Sequence, residues 1–382
     1  MRFDTKAIHE GQEPEPRTGA VVVPIYQTST YAQPDVGVNK GWEYSRTSNP
    51  TRDALQTCIA ALESGTHGFA FSSGMASIST LVLGFLKSGD HVLSSNDVYG
   101  GTFRVFDKVF RNFGVEFSYV DTSDLGAVEA AIKPNTKLIW VESPTNPLLK
   151  ITDIAAVAAI AKKKGVLFGV DNTFMSPAVQ RPLELGADIV MHSTTKYIGG
   201  HSDVVGGVLV VKRDDLAEKI RFHQNAVGGT PGPFDSWLTL RGIKTLGLRM
   251  ARHQSNAAGV AAFLAQHPRV ERVLYPGLPE HPGHAVQKRQ AHGFGGMVAF
   301  YAKGGLDHAK RLCRTTKLFF LAESLGGVES LIEHPAIMTH ASVPAENRKK
   351  LGIGDNFIRL SIGIEDPEDL IADLSKALDA SA

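Results

Sequence analysis

ADIVMHSTTKYIGGHSD, residues 187–203, changes character half-way along. Ala187 to Met191 form a short apolar run suited to a buried β-strand, and the residues that follow, up to Lys196, are polar and read as the turn that ends it. In a parallel sheet such a turn faces the ligand crevice, because sites lie outside the carboxyl ends of the strands. A lysine there, partly withdrawn from water, loses its proton more readily and becomes an amine nucleophile toward an aldehyde. A surface lysine beside a loop is the plainer reading of the same residue.

The neighbouring segments supply partners for that chemistry. GVLFGVDNTF (165–174) is an apolar run that ends at Asp171. A carboxylate at the mouth of a buried strand needs a cationic or hydrogen-bonding partner, and a pyridinium nitrogen would be one; a helix N-cap is the alternative. GFAFSSGMAS (68–77) places Ser72, Ser73 and Gly74 between a short strand and a helical stretch starting near Met75, a geometry whose free backbone N–H groups suit a phosphate. Ser193 and Thr195 offer hydroxyl donors to the same phosphate. In DVYGGTFR (97–104), Tyr99 can lay its ring over a flat heterocycle or sit in a core. In NFIRLSIGIE (356–365), Arg359 lies inside an apolar strand, where its natural partner is a carboxylate, from an amino-acid substrate or from a structural salt bridge.

Outward from these motifs, short apolar runs at Gly68–Phe71, His91–Ser94, Lys137–Val141 and Val166–Val170 alternate with helical stretches such as Pro50–Glu63. Strands separated by helices predict βα units and a mainly parallel, doubly wound sheet, taken here as a large domain over residues 46–245. Residues 246–382 read as a smaller α+β domain, with a helix near Leu248–Gln266, strand-like pieces at Arg272–Tyr275, Gly296–Tyr301 and Phe357–Ile362, and a helix over Pro367–Leu378. Residues 1–45 have little periodicity and read as an extended arm whose contacts lie elsewhere, as on a neighbouring subunit.

The 382 residues are 43% hydrophobic and 21% charged, which predicts a folded globular chain. Forty basic against 39 acidic side chains, without long basic runs, argue against nucleic acid or an anionic membrane as partner. Cys58 and Cys313 are the only cysteines and are far apart, which points to a reducing compartment rather than a disulfide framework. With no apolar span or leader-like start in view, the expected location is the cytoplasm. No metal is expected.

Together these segments, with YSRTSNPTR (44–52), ESPTNP (142–147), AESLGGVESL (322–331) and the run from Asp188 to the Gly206–Gly207 pair, closely resemble the cystathionine-metabolising family of fold-type I pyridoxal-phosphate enzymes. That family includes cystathionine γ-synthase, γ-lyase and β-lyase and methionine γ-lyase. The resemblance runs nearly end to end and implies an aspartate aminotransferase-like α/β fold with pyridoxal 5′-phosphate as cofactor. It implies that Lys196 carries the cofactor as a Schiff base and shuttles protons, Asp171 pairs with the pyridine nitrogen, and Tyr99 stacks on the ring and assists proton transfer if its hydroxyl ionises. Ser73, Gly74, Met75, Ser193 and Thr195 would hold the phosphate from one subunit, and Tyr44 and Arg46 would reach it from the partner. A homodimer with shared sites follows, usually paired into a homotetramer. Arg359 would clamp the substrate α-carboxylate with Asn146 and groups near Ser324, with Arg104 also on the substrate side.

Glu43 and Glu329 are candidates for the distal end of the substrate pocket, attracting a far ammonium group, unless they are simply solvated carboxylates. Position 101 is Gly where methionine γ-lyases typically show Cys. HPAIMTHASVP (334–344) is similar to γ-lyases and bacterial γ-synthases alike. The expected reaction is γ-elimination of cystathionine, with γ-replacement on an acylated homoserine second, β-elimination third, and an aminotransferase of the same fold as the rival class.

Overall fold

Seven of the chain's strands carry apolar side chains on both faces, and only a sheet covered on both sides can bury them. In the computed structural model, which describes residues 1–341 and 344–381, they are β1 (His67–Phe71), β2 (His91–Ser95), β3 (Glu116–Val120), β4 (Thr136–Glu142), β5 (Leu167–Asp171), β6 (Ile189–Ser193) and β7 (Gly207–Val211). They form one sheet in the order β1-β7-β6-β5-β4-β2-β3. β3, β2, β4, β5 and β6 run parallel to their neighbours, and β7 and β1 close one edge antiparallel.

Alternation along the strands sorts side chains into two cores. Leu138, Trp140, Ile189, Met191 and Leu209 join one cluster with Ile78 and Leu81 of the helix Gly74–Phe85. Ile139, Val141, Phe168, Val170 and Val190 join the other with Ile154 and Val157 of the helix Ile154–Lys164. This alternation fixes which way the strand ends point: Asp171, one residue beyond Val170, faces the same side of the sheet as Met191, its partner in register.

A second, five-stranded sheet comprises β8 (Val270–Leu274), β9 (Met297–Ala302), β10 (Phe320–Leu321), β11 (Leu331–Glu333) and β12 (Phe357–Ser361), in the order β10-β11-β12-β9-β8. Its core is shared with the helices Leu246–Gln266, Leu306–Thr315 and Pro367–Ala380. The register pairs Glu333 of β11 with Arg359 of β12.

Two features differ from the sequence expectation. β3, β7, β10 and β11 are strands that the patterning did not single out. The arm is not wholly without contacts of its own: the helix Phe3–His9 buries Ala7 and packs Phe3 against the core, and it touches the helices Pro50–Leu62 and Leu246–Gln266. Beyond it, residues 13–48 are largely exposed, with isolated bridges between Thr30 and Tyr44 and between Asp35 and Val38. Among the described residues no helix is long and apolar enough to cross a membrane. Cys58 and Cys313 are both buried and free.

Candidate active site

β4, β5 and β6 end side by side, and beyond their carboxyl ends lies a cavity of about 330 Å³. Lys196 reaches it from the turn after β6, which is held by Lys196 N–H to the Ser193 carbonyl (3.3 Å) and Gly199 N–H to the Thr194 carbonyl (2.8 Å). Lys196 Nζ donates to Ser324 Oγ at 2.6 Å; no carboxylate pairs with it among the described residues. Burial, and then the nearby Arg359 charge, bring its pKa down to about 8, against the opposing pull of Glu333 and Glu323.

Asp171 lines the same cavity. One of its oxygens accepts from Thr173 N–H at 3.0 Å. Burial raises its pKa, opposed by the Thr173 hydrogen bonds and by His192. It does not cap a helix: the helix that follows, Ser176–Val179, has Met175 at its N-cap position. Glu142 stands beside it at the end of β4 and accepts from Tyr99 N–H at 2.9 Å.

Arg359 makes the structural salt bridge that its sequence context allowed and also reaches the cavity. Its guanidinium makes a buried salt bridge to Glu333 at 3.0 Å, donates to Asn146 Oδ1 and to the Ser324 carbonyl, each at 2.8 Å, and still lines the cavity. Ser324 sits at φ 86°, in the left-handed region that non-glycine residues avoid. Its hydroxyl and its carbonyl thereby serve two different cations.

The start of the helix Gly74–Phe85 also borders the cavity, with Ser73, Gly74, Met75, Ser193 and Thr195 among the lining residues. Ser73 Oγ caps the helix by accepting from Ala76 N–H at 3.0 Å. The Thr195 hydroxyl accepts from Gly206 N–H at 3.0 Å and donates weakly to the Gly206 carbonyl at 3.3 Å. The Tyr99 ring forms part of another wall, packed so closely on Gly101 that a Cβ there would lie 2.4 Å from the ring. Burial raises the Tyr99 pKa, and Glu323 and Glu142 add to that against Arg104 and Arg359. That direction favours the protonated hydroxyl in the cofactor-free chain, whereas a part for Tyr99 in proton transfer is conditional on its ionising.

The profile of the Cys/Met metabolism PLP-dependent enzymes matches residues 4–379. The chain belongs to that family. A relative named cystathionine β-lyase, from Coxiella burnetii, is 56% identical over 98% of this chain and 97% of its own length. A relative named cystathionine γ-synthase, from Mycobacterium tuberculosis, is 57% identical over 98% of this chain and 96% of its own. The crystal structure of cystathionine γ-lyase from Lactobacillus plantarum, complexed with L-serine, superposes with a TM-score of 0.97 at 50% identity, covering 99% of both chains. The fold is thus that of the pyridoxal-phosphate enzymes of sulfur amino-acid metabolism, and pyridoxal 5′-phosphate is the cofactor of the family.

The residues present fit such a group. Among the described residues, a buried amine without a counter-ion, a buried carboxylate without a cation and a capped helix N-terminus lie around one cavity, and these match an aldehyde, a ring nitrogen and a phosphate. Lys196, Asp171, Tyr99, Ser73, Gly74, Met75, Ser193, Thr195, Asn146, Ser324 and Arg359 all line it. Five of the site residues expected from the sequence do not: Tyr44, Arg46, Glu43, Arg104 and Glu329. Tyr44 and Arg46 line a separate surface hollow beside Gly228 and Thr230, where Arg46 donates to the Asn225 carbonyl at 2.6 Å. Glu43 is exposed on the arm, and Arg104 is exposed on the helix Gly100–Lys108.

The expectation for Glu329 needs correction: its carboxylate accepts from the Ser202 hydroxyl and stays outside the cavity, whereas Glu323 lines it. Between the two acids the chain passes Ser324 and Gly326, both at positive φ, and a Cβ at Gly326 would lie 2.6 Å from Tyr197 N. Sequence reasoning also missed Glu142, Thr339 and Glu333; the first two line the cavity and the third holds Arg359. The stretch 334–344 includes residues 342 and 343, which lie outside the described residues.

Proposed function

We propose that this enzyme carries pyridoxal 5′-phosphate on Lys196 and cleaves the Cγ–S bond of L-cystathionine, consuming water and releasing cysteine, 2-oxobutyrate and ammonia. The observation that carries the reading is the convergence of Lys196, Asp171 and Arg359 on one cavity. When bound, the cofactor supplies an electron sink for the carbanion formed at the substrate Cα.

The chain's own residues do the rest. Arg359, steadied by Glu333 and Asn146, presents a planar fork of donors to the substrate α-carboxylate. Lys196 Nζ, with a pKa near 8, is poised to take a proton from Cα and to return one. Asp171 would pair with the ring nitrogen and supply the charge that keeps it protonated. Tyr99 would stack on the ring and orient it. Ser73, Gly74, Met75, Ser193 and Thr195 would hold the phosphate at the helix N-terminus. Glu323, together with Glu43 of a second subunit, attracts the distal ammonium of cystathionine, the task that the sequence suggested for Glu43 and Glu329.

Tyr44 and Arg46 complete the phosphate site of a partner subunit, so the working form is a homodimer, paired into a tetramer. Their exposure on an arm that lies away from their own cavity supports this. The cytoplasm is the proposed location, and residues 46–245 and 246–382 the proposed domains after the arm.

γ-Replacement, in which cysteine attacks an acylated homoserine, is the second reading. It would use the same residues, and the mycobacterial relative's name favours it. A product assay separates the two: the purified holoenzyme is given cystathionine alone, or acetyl- or succinylhomoserine with cysteine. Faster release of 2-oxobutyrate from cystathionine, without an oxo-acid acceptor, is expected. Faster formation of cystathionine would overturn the choice, and a strict need for an oxo acid would point to an aminotransferase.

A further inference from the structure

Glu142 and Asp171 end two adjacent parallel strands in register and face the same cavity. They are 4% and 7% exposed, so water screens neither. Two buried carboxylates in register on adjacent strands do not readily both ionise unless each has its own cation; the ring nitrogen would supply one, taken by Asp171, and the acid with fewer donors keeps its proton. Asp171 has the hydrogen bonds of Thr173 and the favourable influence of His192. Among the described residues, the Glu142 carboxyl has the Tyr99 N–H alone. The charged and titratable groups around Glu142 are Asp171 on β5, Asp97 in the segment after β2, Tyr99 and Arg359 on β12. Burial first and then Asp171 hold its carboxyl well above the usual carboxylate range.

We infer that Glu142 is a positioning residue that works as a neutral carboxylic acid, anchoring the backbone of Tyr99 and leaving Asp171 the single anion on that wall. An ionised Glu142 would put a second negative charge beside the ring nitrogen and blur the pairing with Asp171. A neutral one keeps the hydrogen bond from Tyr99 without that charge. The inference rests on the cofactor reading given above.

The test uses the wild-type holoenzyme and its Glu142→Gln variant. The amide is uncharged, has the same shape and retains an oxygen for the Tyr99 N–H. The infrared difference spectrum of the two should contain the carbonyl stretch of a protonated carboxylic acid, lost in the variant. The pH titration of the cofactor's visible band should keep its midpoint, whereas removing a real negative charge would move it by about one unit. A difference spectrum with only carboxylate bands, a midpoint moved by that amount, or a Glu142→Gln chain that does not fold would each overturn the inference. A wild-type protein without a visible band would sink the cofactor reading first, and this inference with it; a coloured wild type with a displaced variant sinks this inference alone.

Discussion

Lys196 Nζ lies 2.6 Å from Ser324 Oγ, and the carbonyl of that same serine takes a hydrogen bond from Arg359 at 2.8 Å. One backbone position, held at φ 86°, thus registers the reactive amine against the carboxylate-binding guanidinium. A residue so strained persists only where its surroundings over-determine it. Ser324→Ala removes the amine's acceptor but keeps the carbonyl. The expected result is a kcat lower by on the order of 10-fold to 100-fold, the value of one hydrogen bond to a charged group, with cofactor affinity nearly unchanged. Steady-state kinetics beside a cofactor titration check this; equal losses in both would contradict it.

The lysine itself predicts a pH dependence. Its pKa falls from 10.5 to about 8 in the folded, cofactor-free chain. Between those values the unfolded chain holds a proton that the folded chain has released, so this group makes stability rise with pH across the window and contributes a constant penalty below it. The neutral amine is also the form that attacks an aldehyde. The rate at which the cofactor-free protein acquires colour should climb with pH and level off above about 8, followed by stopped-flow absorbance. A flat profile would mean that the amine is not the titrating group.

The two acids of AESLGGVESL make a direct comparison. Glu323→Gln should raise KM for cystathionine by about 10-fold, as loss of one charge-assisted contact to the distal ammonium would. Glu329→Gln, whose partner is the Ser202 hydroxyl, should leave KM near the wild-type value. The opposite ranking would restore the original reading of this segment.

Much of the site was legible because parallel strands advertise their carboxyl ends. An apolar run that empties into a polar turn fixed Lys196 and Asp171, and an arginine buried in a strand needed an anion whatever the fold. The choice between Glu323 and Glu329 was not legible, since it depends on a chain reversal through Ser324 and Gly326 that no periodicity encodes. The Glu333–Arg359 pair depends on the register of β11 against β12, which is tertiary. Glu142 had a signal that went unused: it ends an apolar run just as Asp171 does. β7 was obscured by the glycine pair that opens it, and the helix Phe3–His9 by having only one buried side chain.

Shared sites across a dimer can be tested by mixing two inactive chains. Lys196→Ala removes the amine from its own cavity, while Arg46→Ala weakens the phosphate site of its partner. Unfolded together and refolded, half the dimers are mixed and each mixed dimer has one intact site, so activity should return to about a quarter of the wild type if dimers are two-fold symmetric. No recovery, with both variants folded, would place Tyr44 and Arg46 outside the site.

The proposed cofactor is joined covalently at one named atom, Lys196 Nζ. Borohydride reduction of the coloured protein, digestion and peptide mass spectrometry locate the bond. The reduced pyridoxyl phosphate is expected on the peptide containing Lys196 and on no other lysine. A label on a different lysine, or none on a protein that remains yellow, would contradict it.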